Sequence, residues 1–91
     1  MYEWDERKRR ETWLRHGVDF ADVTQFDWVN AVTRPDRRKE YGELRFISYA
    51  PIGERVHCVA WTPREGNIRI VMLRKANERE VKRYEREKKL H

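Results

Sequence analysis

Ile68-Arg69-Ile70-Val71-Met72-Leu73-Arg74-Lys75-Ala76 is the stretch that decides the fold. Five of its first six residues are apolar and three of these are β-branched, which predicts a strand buried on at least one face. Strict alternation of side chains puts Arg69 on the same face as Val71 and Leu73. A guanidinium among apolar side chains needs compensation, so we expect Arg69 either to pair with a carboxylate or to bind an anion at a cleft.

The N-terminal part of the chain predicts two helices. Asp5 can cap a first helix that runs to about Arg15 and stops at Gly17. Asp19 can cap a second helix that reaches about Asp27 and carries apolar residues three positions apart. We expect these two helices to form a hairpin.

Segments rich in β-branched or alternating apolar residues predict three further strands, over residues 28–33, 44–50 and 55–62. The short connections between them favour an antiparallel meander that ends in the stretch quoted above. A last helix is expected from about Asn77, because Asn77 and Glu80 have the spacing of a capping box. The predicted fold class is therefore α+β, a single domain with two N-terminal helices, a three- to four-stranded antiparallel sheet and one C-terminal helix.

The charge balance favours a polyanionic partner. The 91 residues include 21 Lys and Arg against 16 Asp and Glu, a net charge of +5, which suits RNA or DNA and equally an acidic protein. The lone Cys58 allows no internal disulfide. No signal peptide or apolar run of membrane-spanning length is apparent, so the expected location is the cytoplasm, without membrane contact.

One ordered set of residues extends along nearly the whole chain: Trp4-Asp5, Lys8, His16-Gly17-Val18, Phe20, Tyr41-Gly42-Glu43, Arg45, Trp61-Thr62, Arg64, Gly66, Ile68-Arg69-Ile70, Arg74, Ala76, Glu80 and Tyr84. In this order and at these spacings, the set resembles the BrnT toxin family of bacterial type II toxin-antitoxin systems. The chain departs from that pattern at Thr12, Trp61 and Met72, and Met72 puts a bulky side chain near the expected cleft.

The resemblance implies a RelE-like fold and an endoribonuclease that inhibits translation without a metal or cofactor. It also implies neutralisation by a BrnA-like antitoxin with a ribbon-helix-helix DNA-binding domain. Operator DNA would then be contacted only through the antitoxin, and a toxin dimer within the complex is left open.

Cleavage of RNA without a metal needs a base for the 2′-hydroxyl, cations for the phosphorane and an acid for the leaving oxygen. We expect Arg69 and Arg74 to hold the phosphate, because a guanidinium binds two of its oxygens at once. His16 is a candidate acid or base, although its place at a helix end equally suits hydrogen bonds to the last carbonyls. Tyr84 is a candidate acid or stacking group, with core anchoring as the alternative.

Five further basic residues are candidates for binding the RNA backbone: Lys8, Arg37, Arg38, Lys39 and Arg45. Lys8 can equally face solvent, and residues 37–39 can equally form a solvated turn. Two other functions stay open at this point. One is a catalytically silent module that binds nucleic acid or docks a protein, and the other is a topoisomerase poison, because one fold hosts several activities.

Overall fold

The stretch that carries Arg69 and Arg74 forms strand β5 (Asn67–Lys75) in the computed structural model, which describes residues 1–90. The strands form one five-stranded sheet in the order β1-β5-β4-β3-β2, and the helices lie around it. The remaining elements, in chain order, are β1 (Tyr2–Trp4), α1 (Glu6–His16), two 3₁₀ helices (Phe20–Gln25 and Trp28–Asn30), β2 (Val32–Pro35), β3 (Phe46–Ile52), β4 (Arg55–Arg64) and, after β5, α2 (Glu78–Lys89). The predicted α+β class is confirmed.

Helix α1 begins and ends where the sequence predicts. The Asp5 carboxylate accepts hydrogen bonds from the backbone N–H groups of Arg7 at 2.8 Å and Lys8 at 3.4 Å, which satisfies donors that a helix start leaves unpaired. Gly17 ends the helix in the left-handed region, with φ of 67°, where a residue with a Cβ would be strained. None of the helix is buried, so α1 lies on the surface of the domain.

The second N-terminal helix is a 3₁₀ helix rather than an α-helix. Asp19 caps it as predicted, and Phe20, Val23 and Phe26 are all buried in the core. A spacing of three residues suits the 3₁₀ helix, which makes one turn every three residues and so puts the three apolar side chains in line. The helix ends at Gln25, two residues before the predicted end.

Strands β2 to β5 form the predicted antiparallel meander, with shifted boundaries. The expected first strand over residues 28–33 was misplaced: Trp28–Asn30 is a 3₁₀ helix and β2 occupies Val32–Pro35. Pro35 is tolerated within β2 because this is an edge strand, where a missing N–H breaks no ladder on the outer side.

The sheet has one strand more than the three or four expected, because β1 adds a fifth strand in parallel to β5. Tyr2 pairs with Ile68 and Trp4 with Ile70. Both aromatic side chains pack against the core. The Tyr2 hydroxyl also accepts a hydrogen bond from Trp28 Nε1 at 2.6 Å. The side-chain contacts thus compensate for a ladder of only three residues.

A β-bulge in β5 overturns the strict alternation expected for this strand. Trp61 of β4 pairs with Ile70 and Ala60 pairs with Met72, so Val71 is the extra residue. After the bulge, Leu73 returns to the same face as Ile70, and both are buried in the core. Arg69 therefore does not share its face with Leu73, as the alternation predicted, and instead shares it with Arg74.

Helix α2 starts with the predicted capping box. The Asn77 side chain accepts from the Glu80 N–H at 2.8 Å, and the Glu80 carboxylate accepts from the Asn77 N–H at 2.9 Å. The helix then extends from β5 towards the β2 edge of the sheet, where Tyr84 donates to the Asn30 carbonyl and Lys88 to the Asn30 side chain.

Ser48 offers a test of the core, because its fully buried hydroxyl joins three strands. It accepts a hydrogen bond from Trp61 Nε1 at 2.8 Å and bonds the Thr33 hydroxyl at 2.7 Å. We expect Ser48→Ala to lower the free energy of unfolding by about 1–3 kcal/mol in urea titrations, because the Trp61 N–H loses its partner. The exposed Thr24→Ala is the control, with a change within about 0.5 kcal/mol. Equal effects of the two changes would contradict this account.

Candidate functional site

A cavity of about 190 Å³ lies on the sheet face opposite the aromatic core, where α1 meets the ends of β4 and β5. We call it the basic groove. Four cations and two carboxylates line it, together with Thr62 and two further residues of β5: Lys8, Arg45, Arg64, Arg69, Asp5, Glu43, Thr62, Ile70 and Val71. The cations come from four different elements or their flanks, so only the folded chain assembles them.

The register of the sheet sets the floor of the basic groove. Arg69 lies directly opposite Thr62 of β4, whose hydroxyl donates to the Leu44 carbonyl. Arg64 follows Thr62 by two residues and therefore emerges on the same face. Lys8 comes from the first turn of α1 and closes one side of the groove.

Arg69 is paired with a carboxylate, as one of the two sequence-based alternatives predicted. Its Nη1 donates to Glu3 Oε1 at 3.3 Å, and the Glu3 carboxylate also accepts from Asn67 Nδ2 at 3.3 Å. The Arg69 side chain is 29% exposed. Within residues 1–90, its Nε and Nη2 groups make no hydrogen bond, so the N–H donors of these two nitrogens stay available to an anion.

The remaining cations of the groove differ in how firmly they are held. Arg45 Nε donates to Glu43 at 3.2 Å, whereas Arg64 lies 3.8 Å from the same carboxylate. Lys8 is exposed and has no carboxylate within 4 Å among the residues described. One carboxylate thus serves two arginines while Lys8 has none, which leaves the groove attractive to anions.

A second hollow of about 180 Å³ continues the basic groove along α1. It shares Lys8 and Val71 with the groove and adds Thr12, His16 and Met72, among others. Lys8, Thr12 and His16 are four residues apart, so they lie on one face of the helix. The fold therefore aligns His16 with Lys8 and Arg69 along a single surface, and Met72 forms part of its wall.

Arg74 lies on the same sheet face but lines neither cavity. Its Nη1 and Nη2 donate to the two oxygens of Glu80 at 2.7 and 2.9 Å, and the Tyr49 hydroxyl donates to Glu80 at 3.1 Å. The bidentate Arg74 guanidinium lowers the pKa of Glu80 to about 2, and the Glu80 carboxylate in turn raises the pKa of Arg74. An anion at Arg74 would have to displace this carboxylate, which also caps α2.

Tyr84 is remote from the basic groove. It is buried, its hydroxyl donates to the Asn30 carbonyl at 2.9 Å, and burial raises its pKa. This is the position that the core-anchoring alternative described, because the contact fastens α2 to the loop before β2.

The three basic residues predicted in the loop between β2 and β3 have different surroundings. Arg38 donates from Nε and Nη2 to the buried Asp36 carboxylate, both at 2.8 Å, and holds the pKa of Asp36 well below its usual range. Arg37 and Lys39 are exposed and line a third cavity of about 440 Å³, here called the loop hollow. The loop hollow shares Glu43 and Arg45 with the basic groove.

Sequence reasoning gave no role to Glu3 or Arg64, although both contribute to the groove. The two-residue spacing from Thr62 to Arg64 was a usable signal, whereas the Glu3 contact depended on the unforeseen strand β1. Within residues 1–90, there is no cluster of three or more His, Cys, Asp or Glu side chains that could bind a metal ion. None of the described helices is long and apolar enough to span a membrane.

Comparison with known protein families gives a match over most of the chain. A family model described as "Ribonuclease toxin, BrnT, of type II toxin-antitoxin system" matches residues 4–80, which include the basic groove and the Arg74 pair. No curated protein matches the chain.

The depressed pKa of Glu80 predicts a stability change in acid. Because the folded value is about 2 and the ordinary value is 4.5, the stabilisation is complete above pH 4.5 and is lost as the pH falls towards 2. We expect the wild type to lose about 2 kcal/mol more unfolding free energy between pH 6 and pH 3 than Glu80→Gln does. Glu78→Gln, on the same helical turn but exposed, should behave as the wild type. Parallel pH profiles for wild type and Glu80→Gln would refute the assignment.

Proposed function

The chain belongs to the BrnT family of ribonuclease toxins of type II toxin-antitoxin systems, and from this premise we propose that it cleaves RNA in the basic groove, without a metal ion, and thereby inhibits translation. The observation that carries the proposal is that Lys8 and Arg69 line the basic groove and that His16 lines the hollow that continues it along α1. We further propose a RelE-like relationship for the fold, which the antiparallel sheet β2 to β5 and the flanking helices support.

The reaction that suits these groups is attack of a ribose 2′-oxygen on the adjacent phosphorus. A base removes the 2′-hydroxyl proton, the bond to the 5′-oxygen breaks, and an acid protonates that leaving oxygen. The products are a 2′,3′-cyclic phosphate and a 5′-hydroxyl. Side-chain acid-base groups and fixed positive charge supply everything that this sequence of steps requires.

Arg69 and Lys8 are the proposed stabilisers of the phosphorane. Arg69 has two nitrogen donors without a partner in the described chain, so it can hold phosphate oxygens while Glu3 keeps its side chain in place. Lys8 of α1 adds a compact charge at the side of the groove. Positive groups that are already positioned need no rearrangement when charge develops on the phosphate.

His16 is the proposed acid or base, because it lies on the same face of α1 as Lys8 and is exposed to a substrate. Arg45 is the proposed contact for a neighbouring phosphate, with Arg37 and Lys39 next to it on the loop. Under this proposal, Arg74 and Tyr84 act indirectly, by holding α2 against the sheet, and Arg38 acts by holding the loop.

The proposed partner is a BrnA-like antitoxin with a ribbon-helix-helix domain, and the proposed location is the cytoplasm, where RNA and antitoxin meet. An antitoxin that covers the basic groove would block RNA by occupying the same cations. Operator DNA would be bound through the antitoxin, and association of two toxin chains would follow from the symmetry of such a DNA-binding dimer.

A second candidate function is a non-catalytic module that binds nucleic acid or docks a protein. One observation favours it: Arg45, Arg64 and Arg69 each already have a carboxylate within 4 Å. A phosphate must compete with these carboxylates, which is compatible with binding but gives no evidence of catalysis.

Labelled RNA incubated with the protein in EDTA separates the two candidates. We expect cleavage by the wild type, a loss of roughly 10²- to 10³-fold in Arg69→Ala and a smaller loss in Lys8→Ala, because each change removes a charge that faces the phosphorane. Arg79→Ala is the matched control, since Arg79 is exposed on α2 and is not part of either cavity. Binding without cleavage by the wild type supports the second candidate. Cleavage that requires added Mg²⁺ refutes metal independence.

His16→Gln tests the proposed proton transfer. We expect it to lower the rate of RNA cleavage roughly 10²-fold and to remove one limb of the pH-rate profile, because a neutral amide cannot exchange a proton with the substrate. The measurement is the single-turnover rate from pH 5 to pH 9. An unchanged profile at a reduced rate would leave His16 with a positioning role only.

A further inference from the structure

We propose that the loop hollow is a nucleobase subsite, in which the base next to the scissile phosphate lies against Tyr41 and Arg45. The inference rests on the proposed function, because it concerns the RNA held in the basic groove. Its consequence is that the loop between β2 and β3 determines which nucleotide is accepted beside the cleaved bond.

The loop hollow has the size and position that such a subsite needs. It measures about 440 Å³, more than twice the volume of either the basic groove or the hollow beside His16. Arg45 and Glu43 line both the loop hollow and the basic groove, so the two cavities adjoin. A phosphate in the groove would therefore bring a neighbouring base to the mouth of the hollow.

Inside the hollow, the Arg45 guanidinium stacks on the Tyr41 ring. The Arg45 guanidinium carbon lies 4.0 Å from the centre of the Tyr41 ring, and the Lys39 ammonium lies 5.2 Å from it. Unstacked RNA bases bind on aromatic rings and on guanidinium planes, and adjacent cations strengthen the contact. Leu44, which is 71% exposed at the same cavity, adds apolar surface that a base would cover.

The ring is held in place before any ligand arrives. The Tyr41 hydroxyl donates to Asp36 at 3.1 Å, and the buried Asp36 carboxylate accepts three hydrogen bonds from Arg38, two from its guanidinium and one from its backbone N–H. The Asp36 N–H donates to the Arg45 carbonyl at 2.8 Å, which ties the start of the loop to its end. These hydrogen bonds order the loop before a base binds. Binding of a base would therefore cost little further conformational entropy.

This arrangement also indicates a role for the ion pair between Arg38 and Asp36. The pair lies outside the apolar core, and Asp36 is bonded to both residues of the proposed subsite, Tyr41 and Arg45. Its effect is to fix the orientation of Tyr41, so Arg38 is a positioning residue for the base and Tyr41 is the contact.

The direct test compares two probes on the intact protein, adenosine 5′-monophosphate and ribose 5-phosphate, by NMR titration. Stacking of one base is typically worth roughly 5- to 150-fold in affinity, so the nucleotide should bind tighter by a factor in that range. Its base protons should also shift upfield, because they enter the ring current of Tyr41. Equal affinity for the two probes, or no upfield shift, would overturn the proposal.

Two variants test whether the ring is responsible. Tyr41→Leu should reduce the affinity for the nucleotide to that for ribose 5-phosphate, whereas Tyr41→Phe keeps the ring and should retain most of the difference. A folded Tyr41→Leu protein that still prefers the nucleotide would refute the assignment. If Tyr41→Leu does not fold, the ring-current shift in the wild type decides alone.

The cleavage pattern on RNA distinguishes this inference from the proposed function. If the wild type cuts RNA and Tyr41→Leu cuts the same sites with the same KM, the subsite is refuted and the nuclease stands. If the wild type binds the nucleotide through Tyr41 but cuts no RNA, the subsite stands and the nuclease is refuted.

Discussion

The bulge at Val71 is the constraint on which the rest of the structure depends. Arg69 and Arg74 are five residues apart, so an unbroken strand would point them to opposite faces, and one guanidinium would enter the aromatic core. The extra residue lets Ile70 and Leu73 both reach the core while both arginines stay on the other face. One irregularity in backbone pairing thereby separates an apolar layer from a charged one.

The charged face is then used in two ways. At its α2 end, Arg74 gives both of its terminal nitrogens to Glu80, and the pair fastens a helix whose own apolar content is small. At its α1 end, Arg69 makes a single bond to Glu3 and stays partly exposed. The same residue type is structural where one carboxylate holds both terminal nitrogens and is available to a ligand where only one of them is held.

The sequence predicted the elements that local chemistry determines. These are the caps at Asp5, Asp19 and Asn77 and the apolar run that becomes β5. It did not predict β1, because three residues carry no periodicity and their pairing partner lies more than sixty residues away. The bulge could not be predicted from the sequence either, since the choice of extra residue depends on how β4 and β5 pack together. The resemblance singled out Arg69, Lys8, His16 and Arg64, but only the sheet register puts Arg64 on the same face as Arg69 and brings Glu3 next to Arg69.

The difference between the two arginine pairs bears on where a polyanion would bind. Arg69 and Arg45 are each held by a single hydrogen bond, of 3.3 Å to Glu3 and 3.2 Å to Glu43, so phosphate can replace either carboxylate at a smaller cost than at the bidentate Arg74 pair. Displacing Glu80 would cost more, because that carboxylate also accepts hydrogen bonds from the Asn77 N–H and the Tyr49 hydroxyl. Its loss would leave both the start of α2 and the Arg74 guanidinium without this hydrogen-bond partner. The net charge of +5 draws an anion to the whole surface, and on this face of the sheet the basic groove can exchange its carboxylates at less cost to the fold than the Arg74 pair can.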